Sequence, residues 1–312
     1  MKQSGVRDRR RGKYANRGGE STGAWGFFAC RPLWLGALWR TGPCYIAVML
    51  NFNPFGRPDP AAFETIDGVP SADSLLLCDH ASADIPPSLD QLGLGPAERH
   101  AHVAWDIGAA EVTRGLARRL ECPAVLAGIS RLVIDCNRHP GDVASIPEIS
   151  CGVVVPGNSG LSEAEADGRA ERWFWPYHHE ISGRLARFLR RGTVPTVVSV
   201  HSFTPCLGQG ALSRPWHVGV LSNRDRRMAD PVLAALAARG DLVVGDNQPY
   251  SARELNYTLD THAGAAGLPH VSFEIRQDLV ADTAGCERWA DILAQVLRPV
   301  LADPSLRRIK VF

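Results

Sequence analysis

Three short apolar runs end in side chains that can do chemistry: Leu75-Leu-Leu-Cys-Asp-His80, Val197-Val-Ser-Val-His201-Ser202 and His270-Val-Ser-Phe-Glu274-Ile-Arg276. A fourth, Leu132-Val-Ile-Asp135-Cys-Asn137-Arg138, ends in an acid, an amide and a guanidinium. Imidazole suits zinc, and a catalytic zinc site takes three protein ligands and keeps a position open. His80 and His201 are therefore candidate zinc ligands, and spacing does not supply the third. Open α/β sheets bind ligands outside the carboxyl ends of their strands. Two histidines, a glutamate and an Asn-Arg pair gathered there imply a metallohydrolase that recognises a carboxylate.

Each of these residues also has a plainer reading. Asp135 follows Leu-Val-Ile, and a buried acid must be paired or hydrogen-bonded. It either holds a ligating histidine by its second ring nitrogen or pairs with Arg131 or Arg138. Asn137-Arg138 forms a carboxylate clamp, since guanidinium presents a fork matched to two oxygens, or Arg138 sits in a structural ion pair. Glu274 lies between Phe273 and Ile275; an apolar setting would raise its pKa toward that of a general base. Arg276, two residues on and on the same strand face, would lower it or simply pair with it.

The elements that must position these groups alternate as in an α/β domain. Ser74–Asp79 reads as a buried strand. Residues 96–121 read as one helix, with Val103, Ile107, Ala110, Val112 and Leu116 at three- and four-residue spacing. Residues 124–129 and 131–135 are strand-like, and the chain is loop-rich from there to Gly160. Ser162 and Glu165 make a capping box that opens a helix to about Arg191, kinked at Pro176. Strands ending at His201 and Glu274, a strand 216–221, a helix 228–239, a short strand 242–244 and a helix from about Glu287 to Leu301 complete the pattern. The polar stretch 245–267 is long enough to be a binding loop or lid.

Composition narrows the class. The 312 residues are 45% hydrophobic, and the net charge of +1 is unevenly spread. Residues 1–48 carry nine Lys/Arg and two Asp/Glu, leaving 25 basic and 31 acidic residues in the rest. A mildly acidic body argues against nucleic acid as a partner. Lysine occurs only at 2, 13 and 310, which disfavours Ser-Lys and Glu-Lys-Cys amidase mechanisms. The eight cysteines form no C-x-x-C pair and mostly sit in apolar runs, as reduced thiols of a cytoplasmic protein do. No run of about 18 apolar residues suggests a membrane span. Residues 1–48, basic and then Trp-rich, are expected to be a disordered or non-native extension, with residues 49–312 forming one catalytic domain.

Taken together, the motifs resemble the N-formylglutamate amidohydrolase family from about Leu75 to the C-terminal helix. They are Cys78-Asp-His80-Ala, Trp105-Asp-Ile-Gly108, Ser130-Arg-Leu-Val-Ile-Asp-Cys-Asn-Arg138, Pro176-Tyr-His178, His201-Ser-Phe-Thr-Pro205, Arg214-Pro-Trp-His217 and Glu274-Ile-Arg-Gln-Asp278. More remotely, their order resembles zinc carboxypeptidases and aspartoacylases. The resemblance implies a mixed central sheet flanked by helices, of the zinc-carboxypeptidase-like (phosphorylase/hydrolase-like) kind. It implies one zinc ion per chain on His80 and His201, with Asp135 orienting His80. Asn137 and Arg138 become the clamp for the substrate's α-carboxylate, and Glu274 the base that activates the attacking water. The implied substrate is a small N-acyl amino acid, N-formyl-L-glutamate first, in the setting of histidine degradation.

The chain departs from the carboxypeptidase pattern where a glutamate ligand would stand three residues after the first histidine; here that residue is Ala83. Asp84 is the preferred substitute, with Asp79 and Asp106 as other candidates. Arg131, Arg214 and Arg276 are candidates for further substrate contacts, and Tyr250 or Tyr257 for donating to a developing oxyanion. His178, His179, His217 and His262 are secondary candidates. Rival functions are a deacylase or carboxypeptidase acting on another N-acyl amino acid or short peptide, and a carboxylate-binding module that lost its metal. A serine hydrolase lacks support, since no G-x-S-x-G elbow occurs.

Overall fold

A computed structural model describes residues 58–207 and 213–312; the expected N-terminal extension lies outside them. Strands β1 (Phe63–Ile66), β2 (Ser74–Cys78), β3 (Ala124–Ala127), β6 (Thr196–Phe203), β7 (Val218–Leu221), β8 (Val244–Asp246) and β9 (His270–Arg276) form one sheet, ordered β1-β3-β2-β6-β9-β7-β8. Strands β3, β2, β6 and β9 run parallel, while β1 and the β7–β8 pair run against them. A separate hairpin joins β4 (Ile149–Ser150) and β5 (Val153–Val154). This is the mixed, helix-flanked sheet that the resemblance implies.

Central parallel strands are covered on both faces and so read as continuous apolar runs. Along β2 the alternation is literal. Leu76 and Cys78 pack with Val112 and Leu116 of α2 (Ala109–Leu120) and with Trp289, Leu293 and Leu297 of α7 (Thr283–Leu301). Leu75 and Leu77 face the other way, onto Tyr177, Ile181, Leu185 and Phe188 of α4 (Trp175–Arg190). Helix α5 (Ala229–Ala237) joins the first layer through Val232 and Leu236. The parallel strands thus deliver His80, His201 and Glu274 at one edge, with His201 and Glu274 opposite each other in the β6–β9 register.

Three local expectations fail for identifiable reasons. The helix read over 96–121 is broken: α1 covers only Pro96–Arg99, turns follow, and α2 starts at Ala109 after Gly108 in a left-handed conformation (φ 79°). A Cβ at Gly108 would lie 2.2 Å from the Val280 carbonyl oxygen, so neither the backbone angle nor the space admits a side chain. The break frees Asp106 from the helix, and its N–H donates to the His80 carbonyl (3.0 Å). Residues 131–135 are turns rather than a strand, with Arg131 and Asp135 bonded to the Ala104 and Ser145 carbonyls. The capping box of Ser162 and Glu165 opens α3 (Glu163–Arg169), but a π-helical turn at Ala170–Phe174 separates it from α4. Pro176 then falls in the first turn of α4, where a missing N–H costs nothing. The stretch 245–267 carries the short helix α6 (Tyr257–Leu259) and a second π turn, Asp260–Gly264.

Gly108→Ala is expected to destabilise the fold by about 1–3 kcal/mol, through overpacking and a left-handed backbone. Gly168, in α3, has open space around it. Gly168→Ala should therefore be neutral or stabilising by about 0.5–1 kcal/mol. Urea unfolding of both variants checks the contrast, and equal effects would contradict the packing described for Gly108.

Candidate active site

The Asp106 carboxylate is the centre of the site. Its Oδ2 lies 3.4 Å from His80 Nδ1 and 2.9 Å from His201 Nδ1, and also accepts the Ser202 N–H at 3.2 Å. The far nitrogen of each ring is already engaged. His80 Nε2 meets Asp135 Oδ1 at 2.7 Å, and His201 Nε2 meets Asp79 Oδ2 at 3.1 Å. Asp79 is fixed in turn by the Tyr177 hydroxyl (2.9 Å) and the Ser199 hydroxyl (3.2 Å). With both Nε2 atoms donating to carboxylates, both Nδ1 lone pairs face the same carboxylate oxygen. Three acceptors turned on one another need a cation between them: protons, or a metal ion.

The donor set fits a metal. Two ring nitrogens and a carboxylate oxygen, all within 4.8 Å of one another and all on buried residues, match a three-ligand catalytic site. Carboxylates on the far ring nitrogens are the usual supports of ligating histidines. His80, Asp106 and His201 are therefore the residues that could hold a metal ion. Asp84, the ligand preferred from sequence, is exposed and outside this group. The physical reason is the break at Gly108, which takes Asp106 out of the helix and sets it against both histidines.

Electrostatics follow from the same contacts. Burial alone would raise the carboxyl groups, but Arg131 and the two histidines hold Asp106 well below its ordinary range. Asp135 is held near 2 against burial by the charge and hydrogen bond of His80. Both histidines are raised despite burial, His201 chiefly by hydrogen bonds to Asp106 and Asp79. Glu274 goes the other way: burial lifts it from 4.5 to about 7. Its Oε2 is buried with no hydrogen-bond partner among the described residues.

These groups line one cavity of about 360 Å³, together with Asn137, Arg138, Arg131 and Tyr250. Asn137 Oδ1 accepts the Thr258 N–H (2.9 Å), and its amide nitrogen has no hydrogen-bond partner among the described residues. Among the described residues, Arg138 has only loose carboxylate neighbours, Asp135 at 3.6 Å and Asp142 at 3.8 Å. Arg131 is ion-paired to Asp106 Oδ1. Arg214 is outside the lining and donates to the Tyr250 hydroxyl (3.0 Å), so the Tyr250 O–H remains available as a donor.

Other expected residues are employed elsewhere. Arg276 forks onto Asp278 (2.7 and 3.2 Å) and neither pairs with Glu274 nor reaches the cavity. Tyr257 packs against Phe174 and His178, ring centroids 5.8 and 5.4 Å away, so Tyr250 is the tyrosine that lines the cavity among the described residues. His179 is exposed, His217 accepts the Val243 N–H, and His178 and His262 are bonded to each other.

With this geometry in view, the family model for N-formylglutamate amidohydrolase matches residues 72–281. The crystal structure of a gene product from Agrobacterium tumefaciens superposes with a TM-score of 0.74 at 35% identity, over 78% of this chain and 95% of that one. The chain belongs to the N-formylglutamate amidohydrolase family. An N-formylglutamate amidohydrolase from Ralstonia eutropha JMP134 superposes with a TM-score of 0.52 at 17% identity, over 79% and 98% of the two chains, and supports the fold. No curated protein shows significant similarity. The family is one of amidohydrolases.

Sequence reasoning did not identify the residues that support His201 from behind. Asp79, a candidate ligand from sequence, instead holds His201, and Tyr177 and Ser199, present in the motifs without a role, fasten Asp79. One signal was available: Asp79 and Ser199 are polar residues inside apolar strand runs, and each had to be satisfied by something.

The pKa of Glu274 has a consequence for stability. Because the folded value (about 7) exceeds 4.5, the fold favours the protonated form and is destabilised as pH rises through that window. In metal-stripped protein, Glu274→Gln should match wild type at pH 4 and exceed it at pH 8, by roughly 3 kcal/mol at most. Urea unfolding at the two pH values measures this. A stability difference that does not change with pH would show that Glu274 ionises normally.

Proposed function

We propose that this protein hydrolyses the amide bond of a linear N-acyl amino acid in a metal-dependent reaction, with N-formyl-L-glutamate as first substrate and formate and L-glutamate as products. Zinc is the metal expected on His80, Asp106 and His201. When bound it would act as a Lewis acid on the acyl carbonyl and acidify water. The observation that carries the proposal is Glu274: a buried carboxylate with an unpartnered oxygen, raised to about 7, opposite a candidate ligand in the sheet register. A binding module has no use for such a group, whereas a base working near neutrality needs one.

The chain's own residues divide the work. The Asn137 amide nitrogen and the Arg138 guanidinium take the α-carboxylate and fix the amide relative to Glu274. Glu274 removes a proton from water as the water oxygen bonds to the acyl carbon. The Tyr250 O–H donates to the carbonyl oxygen as charge gathers there. Glu274 then gives its proton to the nitrogen as the C–N bond breaks, which releases the carboxylic acid and the free amine. Arg131 keeps Asp106 ionised throughout.

Purified protein should contain near-stoichiometric zinc by elemental analysis, and chelation should stop formate release from N-formyl-L-glutamate, with zinc restoring it. Glu274→Gln should retain the metal and lose about 10²–10⁴-fold in kcat. Zinc without formate release would discard this substrate and keep the mechanism. Full activity after chelation would discard the metal.

A further inference from the structure

We infer that His178 and His262 are positioning residues for the carboxylate clamp: they hold the Cys136–Asn137 peptide so that the Asn137 amide nitrogen faces the substrate. The inference rests on the proposed role of Asn137 and adds residues that do not line the cavity themselves.

The proton inventory follows from one end of a chain of hydrogen bonds. A carbonyl oxygen only accepts, so His178 Nε2, 2.9 Å from the Cys136 carbonyl, carries a proton. His178 is buried and its pKa is lowered to about 4 by burial, with the neighbouring His262 adding to the effect; the ring is neutral, and its Nδ1 is an acceptor. His262 Nε2, 2.8 Å from that Nδ1, must therefore donate. His262 Nδ1 is left as the acceptor for the Ser182 hydroxyl at 3.3 Å. Every ring nitrogen has one assigned role, and the direction runs from Ser182 to Cys136.

The receiving carbonyl uses both of its lone pairs. Thr258 Oγ1 also donates to the Cys136 oxygen (3.2 Å), while the Thr258 N–H donates to Asn137 Oδ1 (2.9 Å). One peptide is thus fixed from two elements, α4 through His178 and α6 through Thr258. The same α6 backbone settles which way the Asn137 amide points. Phe174, Tyr177 and Tyr257 surround the His178 ring, with centroids 4.1, 5.3 and 5.4 Å away, so the imidazole has one orientation. Tyr257, expected at the substrate, instead forms a wall of this cage.

The test compares His178→Ala, His178→Gln and Asn137→Ala, alone and with His178→Ala and Asn137→Ala combined, by N-formyl-L-glutamate kinetics and by calorimetric binding of L-glutamate. His178→Ala should raise KM about tenfold and change kcat less than about threefold, as expected for a lost ground-state contact. His178→Gln, which keeps a donor for the carbonyl, should recover most of that loss. In the Asn137→Ala background, His178→Ala should add little, because the group it positions is gone. His262→Ala, which leaves His178 intact, should show a smaller loss of the same kind. Additive losses, a fall confined to kcat, or a loss of bound zinc would overturn the inference. If wild type binds L-glutamate but releases no formate, the proposed reaction fails while the dissociation constants still decide the positioning role. If L-glutamate binding ignores both Asn137 and His178, the positioning role itself fails.

Discussion

Two imidazole nitrogens face one carboxylate oxygen at Asp106, and much of the architecture answers to that contact. The arrangement repels itself unless a cation sits among the three atoms, so the fold must hold it against its own electrostatics. It does so through the far side of each ring. Asp135 on His80 and Asp79 on His201 fix the tautomers, and Tyr177 and Ser199 fix Asp79. These supports come from β2, the turn after β3, α4 and β6, elements that also build the apolar layers of the sheet. Tyr177 shows the economy: its ring packs against Leu75 and Leu77 while its hydroxyl holds a carboxylate.

The break before α2 is the second requirement. A continuous helix over residues 96–121 would keep Asp106 on a helical surface and leave the site with two histidines. The left-handed Gly108, pressed against the Val280 carbonyl, ends that possibility, and the Asp106–His80 backbone hydrogen bond fixes the result. Periodicity could not reveal this, because Val103 and Ile107 keep helical spacing through the turns and Val103 is buried in the satellite cluster beside Leu132 and Trp173. The spacing reported burial and was mistaken for conformation.

What the sequence disclosed has a physical pattern. Strand-end histidines, a glutamate inside an apolar run and the Asp135-Cys-Asn137-Arg138 string were legible, because a polar residue closing a buried strand has few other reasons to be there. The alternation of strands and helices was legible for the related reason that parallel strands must be apolar on both faces, whereas the mixed, helix-flanked sheet followed from the family resemblance. Roles that depend on long-range closure were not legible: Asp106 and Asp79 were only two of three candidate ligands, and Asp84 was preferred. Asp106 reaches His201 across 95 positions and Tyr177 reaches Asp79 across 98. Arg276 was misread because the two-residue period puts it on the face of Glu274, while Asp278 just beyond the strand claims its guanidinium.

The four buried acids around the cavity show how one environment assigns opposite tasks to the same chemical group. Asp79, Asp106 and Asp135 each have an imidazole or guanidinium in contact and are held ionised against burial. Glu274 lies among the same charges but touches none of them, and with Asp106 adding to the effect burial prevails. Contact decides the difference, since an ion pair offsets desolvation only at short range and with its hydrogen bonds made. The three paired acids cannot exchange protons near neutrality, so they suit holding ligands and a metal. The unpaired one sits where protonated and ionised forms are close in energy, which is the condition for taking a proton in one step and returning it in the next.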